Sequence, residues 1–156
     1  MSVLDLRALL ATLNEHGVRY VVIGGVAVGA HGYVRATEDL DIVPEPTAEN
    51  ADRLARALAE LEATLPLSGG RPFRAAGDVI AISRGRSLTA DTRHGGLDVV
   101  QRVPGVPAFE ELDRSAVDTE LLGVLVRICD LEHLRQMKHA RGSAQDRADL
   151  ENLPEQ

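Results

Sequence analysis

Three aspartates are the residues of this sequence whose type and spacing point most clearly to chemistry. Asp39 and Asp41 stand on either side of Leu40, so in a strand both carboxylates project from the same face. Asp98 has a similar position in a second apolar segment, residues 97–100. Adjacent carboxylates repel each other unless a cation lies between them, and Mg²⁺ prefers oxygen ligands while keeping room for phosphate oxygens. If the two strands are neighbours, the acids converge into the arrangement that two-metal phosphoryl-transfer sites use.

The segment before these acids bears on whether they form a site. Glu38 makes three acids in four residues, a pattern that is also typical of a solvated charged turn. Residues 21–23 form a short apolar strand that runs into Gly24, Gly25 and a predicted helix. Glycine lets the backbone approach a ligand closely, and the N–H groups at a helix start favour phosphate. By themselves, the two glycines are explained equally well by close packing of the helix on the strand. Their combination with the acids is what favours a phosphate site.

The elements that must position these residues alternate between helix and strand early in the chain and then become mainly strands. This order predicts an α/β (α+β) fold, a mixed β-sheet with helices packed against it, in a single domain over residues 1–156. The C-terminal helices are expected at about residues 130–153, and residues 79–82 and 87–92 are expected to form a hairpin. Predicted helices cover residues 3–16, 26–30, 47–61, 108–112, 131–140 and 145–153, predicted strands cover residues 20–23, 40–43, 79–82, 87–92, 97–100 and 122–128, and residues 33–38 and 66–74 are predicted loops.

Composition and charge exclude several classes of ligand. The 156 residues carry a net charge of −7 and contain only 3% aromatic residues, with no Trp. An acidic chain disfavours duplex DNA, and a chain poor in aromatics cannot build stacking platforms for single strands. No apolar stretch approaches the ~18 residues needed to cross a bilayer, and the N-terminus does not look like a signal peptide, so no membrane partner and a cytoplasmic location are expected. The one cysteine, Cys129, is expected to be a small buried hydrophobe.

The order of these motifs resembles the nucleotidyltransferase superfamily that includes DNA polymerase beta. The resemblance rests on a strand, the glycines at 24–25, a short helix, the segment Arg-x-Thr-x-Asp-Leu-Asp at 35–41, and the later strand with Asp98. The chain is most similar to short bacterial members related to the AbiEii toxin and to the minimal nucleotidyltransferases. Residues 131–150 add to this, because they are similar to the Lys-x-x-x-Arg…Asp-x-x-Asp-Leu ending of that subgroup.

The resemblance implies a metal-dependent nucleotidyltransferase that moves a nucleoside monophosphate from an NTP to a hydroxyl and releases pyrophosphate. In such a site Asp39, Asp41 and Asp98 would be catalytic and would hold Mg²⁺ (or Mn²⁺), with Asp98 also acting on the attacking hydroxyl. The acceptor stays open between RNA, a protein side chain and a small molecule, and a protein partner or a homodimer is left open as the source of acceptor recognition. A toxin–antitoxin or phage-defence setting is also implied. The residues expected to bind the nucleotide are Gly24, Gly25, Arg35, Thr37 and Lys138.

Two departures from the resemblance leave an alternative function open. Many active members have Gly-Ser where this chain has Gly-Gly at 24–25, so a phosphate-binding hydroxyl is absent, and Gln145 stands where the subgroup often has Lys. The alternative is a catalytically weak module that keeps the fold to bind a nucleotide or a partner protein, as an antitoxin would. Residues 71–93 carry a net charge of +3, which fits either a basic lip for RNA or an ordinary solvated hairpin.

The roles of four side chains near the two ends of this pattern are less constrained. Lys138 is the one lysine of the chain, and it fits either a triphosphate ligand or a solvated helix face where truncation costs little stability. Thr37 is expected to brace Asp39 by a hydrogen bond. Asp146 and Asp149 lie three apart on a helix, share a face, and are expected to be structural through pairing with Arg141 or Arg35.

Overall fold

The computed structural model describes residues 3–155, and within this range one mixed sheet of eight strands is the framework of the molecule. The strand order across the sheet is 4-3-5-6-2-1-8-7, with strands 1 and 8 and strands 2 and 6 parallel and the other neighbours antiparallel. This arrangement confirms the mixed α+β sheet that the sequence predicts. The strands are β1 (Tyr20–Ile23), β2 (Asp39–Pro44), β3 (Thr64–Leu65), β4 (Arg71–Pro72), β5 (Leu88–Thr92), β6 (Gly95–Val99), β7 (Val117–Leu121) and β8 (Val124–Ile128).

The helices connect these strands and pack against the sheet and one another. None of the helices within residues 3–155 is both long and apolar enough to cross a bilayer. A short 3₁₀ turn at Pro66–Ser68 joins β3 to β4. The α-helices are α1 (Leu6–Glu15), α2 (Gly24–Ala30), α3 (Ala48–Glu60), α4 (Ala75–Ser83), α5 (Phe109–Ser115), α6 (Leu131–Arg141) and α7 (Ala144–Asn152).

Polar side chains fix where the first and third helices begin. The Asp5 carboxylate accepts from the Ala8 amide at 3.1 Å and caps α1, while the Thr47 hydroxyl accepts from the Asn50 amide at 3.1 Å and caps α3. The buried Asn50 side chain also accepts from the Arg19 amide at 2.7 Å. Because Arg19 directly precedes β1, this bond joins the start of α3 to the start of the central strand.

The core is aliphatic, as a chain with so few aromatic residues requires. Its centre lies where the two strands that carry the aspartates pack against the helices. Cys129 is also fully buried, and burial raises the pKa of its thiol to about 12, so it is a packing residue. Among the fully buried large side chains are Leu9, Leu13, Leu40, Ile42, Leu54, Leu58, Leu97, Leu112, Ile128 and Leu134.

The prediction of a strand at residues 79–82 is wrong, because this segment belongs to α4. The run Val-Ile-Ala-Ile favours a strand locally. Asp78 overrides that preference: its carboxylate accepts from the Arg74 amide at 2.6 Å and pairs with the Arg71 guanidinium at 2.7 Å and 2.9 Å. These bonds satisfy the helix start and lower the pKa of Asp78, chiefly through Arg71. The expected hairpin is therefore a helix followed by β5.

The predicted single strand at residues 122–128 is in fact one arm of a hairpin. Its other arm is β7, and the turn between them is formed by Leu122 and Gly123, both with positive φ (52° and 81°). Two positive φ values in a two-residue loop define the type I′ turn that matches strand twist. A Leu-Gly pair is an uncommon sequence for this turn, which is why the local pattern did not indicate it.

Candidate active site

The parallel pairing of β2 with β6 brings the three predicted aspartates to one face of the sheet. Asp41 lies directly opposite Asp98 in the register, and Asp39 lies opposite Gly96. Neighbouring strands are ~4.8 Å apart, so residues paired in register have side chains in contact range. The alternation of side chains along β2 places Asp39 on the same face as Asp41.

Burial and repulsion make Asp41 an unusual carboxyl group. Burial raises its pKa, the Asp98 charge and a hydrogen bond with Asp98 raise it further, and the result is a pKa of about 7. Asp39 adds a smaller repulsion, whereas the Arg141 guanidinium acts in the opposite direction. Without a cation, the Asp41 carboxyl group is therefore partly protonated near pH 7.

Asp39 belongs to the same electrostatic unit but is less enclosed. Its pKa is raised by burial and then by the charges of Asp98, Glu38 and Asp91. Within the part of the chain that the structure describes, no three His, Cys, Asp or Glu side chains are gathered tightly enough to hold one metal ion between them. The three carboxylates thus lie on one face of the sheet and repel one another, but they do not surround a single position.

Two glycines make room for the carboxylates of β2. A side chain at Gly24 would overlap the Asp41 carboxylate, and Gly24 has φ +69°, a conformation that other residues adopt only with strain. A side chain at Gly96 would overlap the Asp39 carboxylate in the same way. These glycines therefore make room for the acids, and the phosphate contact that the sequence suggests for the Gly24 main chain stays a prediction.

The second glycine of the pair, Gly25, faces the loop before β2. A Cβ at this position would lie 2.8 Å from the Thr37 hydroxyl and 3.3 Å from the Arg35 Nη1. The space that a serine side chain would occupy is thus filled by these two polar groups. The Thr37 hydroxyl donates to the Asp39 main-chain carbonyl at 3.2 Å, so it contacts the backbone of Asp39 rather than its carboxylate.

The C-terminal helices are held by a buried ionic network centred on Lys138. Its Nζ lies 3.2 Å from the Asp146 Oδ1 and 3.0 Å from the Asp149 Oδ2, and both carboxylates are fully buried. Lys138 is 3% exposed, so the expectation of a solvated helix face with a low cost of truncation is wrong. Asp149 also receives two hydrogen bonds from Arg35, at 2.7 Å and 2.9 Å, which joins α7 to the loop before β2.

The pKa values of the two network carboxylates show that they stay charged. Burial opposes the charged form of Asp146, but hydrogen bonds from Arg141 and Ser143 lower its pKa below the usual range. Burial likewise opposes the charge on Asp149, and hydrogen bonds from Arg35, Lys138 and Gln145 lower its pKa. Both acids are therefore structural anions, and their pairing with Arg141 and Arg35 is the one that the sequence predicts.

A cleft of about 380 Å³ lies between α6 and the sheet face that carries the acids. Its polar lining includes Asp41, Asp98, Lys138 and Arg141, and residues such as Leu88, Val100, Val103 and Met137 make its apolar walls. Gly24 also lines it, whereas Gly25, Arg35, Thr37 and Asp39 lie outside the lining. The predicted residues thus divide into those that line the cleft and those that do not.

Arg141 is a polar residue of the cleft that sequence reasoning had treated only as a structural partner. Its Nε and Nη2 bind the two oxygens of Asp146, each at 2.7 Å, while the side chain remains 66% exposed. The available signal was its spacing, since it follows Lys138 by three residues and shares its side of α6.

Comparisons with known proteins agree with the fold. No protein-family profile matches the chain, and no curated protein sequence matches it. Among solved structures, a nucleotidyltransferase candidate from Thermotoga maritima matches over 97% of this chain and 94% of its own, with 14% identity and a TM-score of 0.58. The solution structure of the antibiotic-resistance factor ANT(2'')-Ia matches over 94% of this chain and 78% of its own, with 16% identity and a TM-score of 0.56. The chain therefore has a nucleotidyltransferase fold.

Proposed function

We propose that the protein is a metal-dependent nucleotidyltransferase that moves a nucleoside monophosphate from an NTP to a hydroxyl acceptor. The observation that carries this proposal is the in-register pair of Asp41 and Asp98, both partly buried, which line the same cleft. Two desolvated carboxylates in contact are costly to the fold, so their arrangement is better explained by the ligand they hold than by stability.

The donor set fits a divalent cation. Carboxylate oxygens are the ligands of Mg²⁺ and Mn²⁺, and a cation bound beside Asp41 and Asp98 would offset the repulsion that raises the pKa of Asp41. Asp39, Asp41 and Asp98 are the residues that would hold it. When bound, the ion would neutralise charge on the phosphate that is being transferred.

The remaining chemistry is assigned to the side chains of the cleft. The acceptor oxygen attacks the α-phosphorus of the NTP, the bond from that phosphorus to the bridging oxygen breaks, and pyrophosphate leaves with the electron pair. Asp98 accepts the proton of the acceptor hydroxyl, because it lines the open cleft beside Asp41. The Lys138 network fixes the position of α6, which forms one wall of the cleft.

The biological setting is proposed from the resemblance. The ending that contains Lys138, Asp146 and Asp149 favours the short AbiEii-related group and hence a toxin–antitoxin role. The buried network explains why that spacing matters physically, since each of the three residues has a partner among the other two. The labelling experiment described next identifies whether the acceptor is RNA, protein or a small molecule.

The test is Mg²⁺-dependent NTP binding by calorimetry, followed by transfer of α-phosphate label to total RNA, protein and small molecules of a lysate. Asp41→Asn is expected to abolish both, because it removes one charge from the pair. Asp52→Asn, an exposed aspartate of α3, is the matched control and is expected to behave as wild type. Equal Mg-NTP binding by Asp41→Asn and wild type contradicts the proposed site.

The second candidate function is a nucleotide-binding module without transfer. It is favoured by the absence, among residues 3–155, of three ligand side chains gathered tightly around one position. This candidate predicts NTP binding by wild type with no labelled acceptor in any fraction. Label in RNA, protein or a small molecule that depends on Asp41 excludes it.

A further inference from the structure

The charges of the C-terminal network do not cancel. Its cations are Lys138, Arg35 and Arg141, and its anions are Asp146 and Asp149. Three cations against two anions leave one positive charge.

That excess charge is located at the cleft. Lys138 is almost fully buried with its Nζ between two carboxylates, and the Arg35 side chain is 19% exposed and bound to Asp149. Arg141 is the member of this network whose guanidinium reaches solvent, and it lines the same cleft as Asp41 and Asp98. A ligand that enters the cleft therefore meets the Arg141 guanidinium beside the Asp41 and Asp98 carboxylates.

The guanidinium of Arg141 is also fixed in orientation. Asp146 binds its Nε and Nη2, Asp146 is in turn held by Lys138 and by the hydroxyl and amide of Ser143, and this leaves Nη1 free of protein partners among the described contacts. An oriented guanidinium with free N–H groups suits a phosphate oxygen, because it donates in a fixed plane and stays charged at all accessible pH values.

We propose that Arg141 is an anion anchor that binds the polyphosphate chain of the nucleotide, and that the buried network exists to hold it beside the acids. This inference rests on the proposed function, since the donor's phosphates must lie at Asp41 and Asp98 for transfer. Arg141 lines the same cleft as Asp41, and its charge acts on the Asp41 carboxyl group, so the anchor lies near the acids. A phosphate of an RNA acceptor is the competing ligand, and the test separates the two.

The assignment also redefines the role of Lys138. Its ammonium is committed to two carboxylates, so it acts on the ligand through Asp146 and Arg141 and is a positioning residue. Removal of Lys138 and removal of Arg141 should therefore weaken the same interaction with the ligand. Each should also lower stability, because each leaves the buried Asp146 carboxylate with fewer donors.

The experiment measures binding of an NTP, the corresponding NMP, inorganic tripolyphosphate and total RNA by calorimetry to wild type, Arg141→Gln and Arg141→Lys. Arg141→Gln is expected to weaken NTP and tripolyphosphate binding by about 10- to 100-fold, the range for a lost charged hydrogen bond, and to leave NMP binding unchanged. Arg141→Lys keeps the positive charge but not the planar guanidinium. Its affinity for NTP and tripolyphosphate should lie between those of wild type and Arg141→Gln. Arg147→Gln, an exposed arginine of α7, is the matched control.

Each outcome decides the inference. Unchanged tripolyphosphate affinity in Arg141→Gln, or no tripolyphosphate binding by wild type, overturns it. A loss confined to RNA binding assigns Arg141 to the acceptor and also overturns it. If tripolyphosphate binding depends on Arg141 while no acceptor is ever labelled, the anchor stands and the proposed transfer fails. Thermal unfolding of each variant checks that it is folded at the temperature of the binding measurement, so that a loss of binding is not a loss of folding.

Discussion

The carboxyl group of Asp41 links the state of the site to the stability of the whole chain. Its pKa is about 7 when folded and ~4 in an unfolded chain, so between these values the folded protein binds more protons than the unfolded one. The free energy of unfolding, measured with a chelator present, should therefore fall as the pH rises from ~4 through ~7. The carboxylates with lowered pKa values, such as Asp146, lose their contribution only below this window.

Asp41→Asn should remove most of that pH dependence and should be the more stable protein at about pH 8, by on the order of 2–4 kcal/mol. Urea unfolding of both proteins across the same pH range measures the difference. Parallel curves for wild type and Asp41→Asn contradict the raised pKa and the enforced contact with Asp98.

Gly96 offers a way to move Asp39 without changing its charge. A methyl group at position 96 overlaps the Asp39 carboxylate, and since this is the end of a flexible side chain, the acid turns away while β6 is retained. Gly96→Ala is expected to leave the melting temperature equal or slightly higher, because glycine weakens a strand by ~0.5–1 kcal/mol. Mg²⁺-dependent NTP binding should nevertheless become weaker.

Gly29→Ala is the control for this change, because a Cβ at Gly29 in α2 meets nothing within 4 Å. It should stabilise the helix and leave binding as in wild type. Full NTP affinity in Gly96→Ala would show that the position of the Asp39 carboxylate is irrelevant to the ligand.

At the scale of elements, α6 and α7 depend on Lys138 more than on their own helix propensity. Lys138→Met leaves Asp146 and Asp149 buried with one donor fewer each, and removal of one partner from a buried ionic group costs about 3 kcal/mol. We expect a loss of this size in urea unfolding. Gln136→Met, on the exposed side of the same helix, should change stability by less than ~0.5 kcal/mol.

The elements that carry the acids were predictable because their signals are local. β2 alternates its aspartates with Leu40 and Ile42 and ends at Pro44, and α3 has both a cap at Thr47 and an amphipathic face. The helical state of α4 was not predictable, because it depends on the pairing of Asp78 with Arg71 and on packing against α3. The burial of Lys138 was hidden for the same reason, since its partners lie on another helix and only the folded chain brings them together.

At the scale of the whole molecule, the chain gathers anionic and cationic groups around one cleft despite its net charge of −7. The in-register meeting of Asp41 with Asp98 follows from the parallel pairing of β2 and β6, which are separated by 50 residues of intervening chain. Sequence spacing predicted that these acids would converge only if the strands were neighbours. The sheet topology supplies that condition, and Arg141 enters the cleft from the far end of the chain.

The most direct test of the account is the fate of the NTP phosphates. Wild-type protein is incubated with Mg²⁺, a lysate and an NTP labelled either at the α-phosphate or at the γ-phosphate, beside Asp41→Asn as the matched inactive form. The account predicts that α-label becomes attached to an acceptor, that γ-label is released as pyrophosphate, and that Asp41→Asn does neither. Attachment of γ-label, or equal labelling by Asp41→Asn, would contradict nucleotidyl transfer at these aspartates.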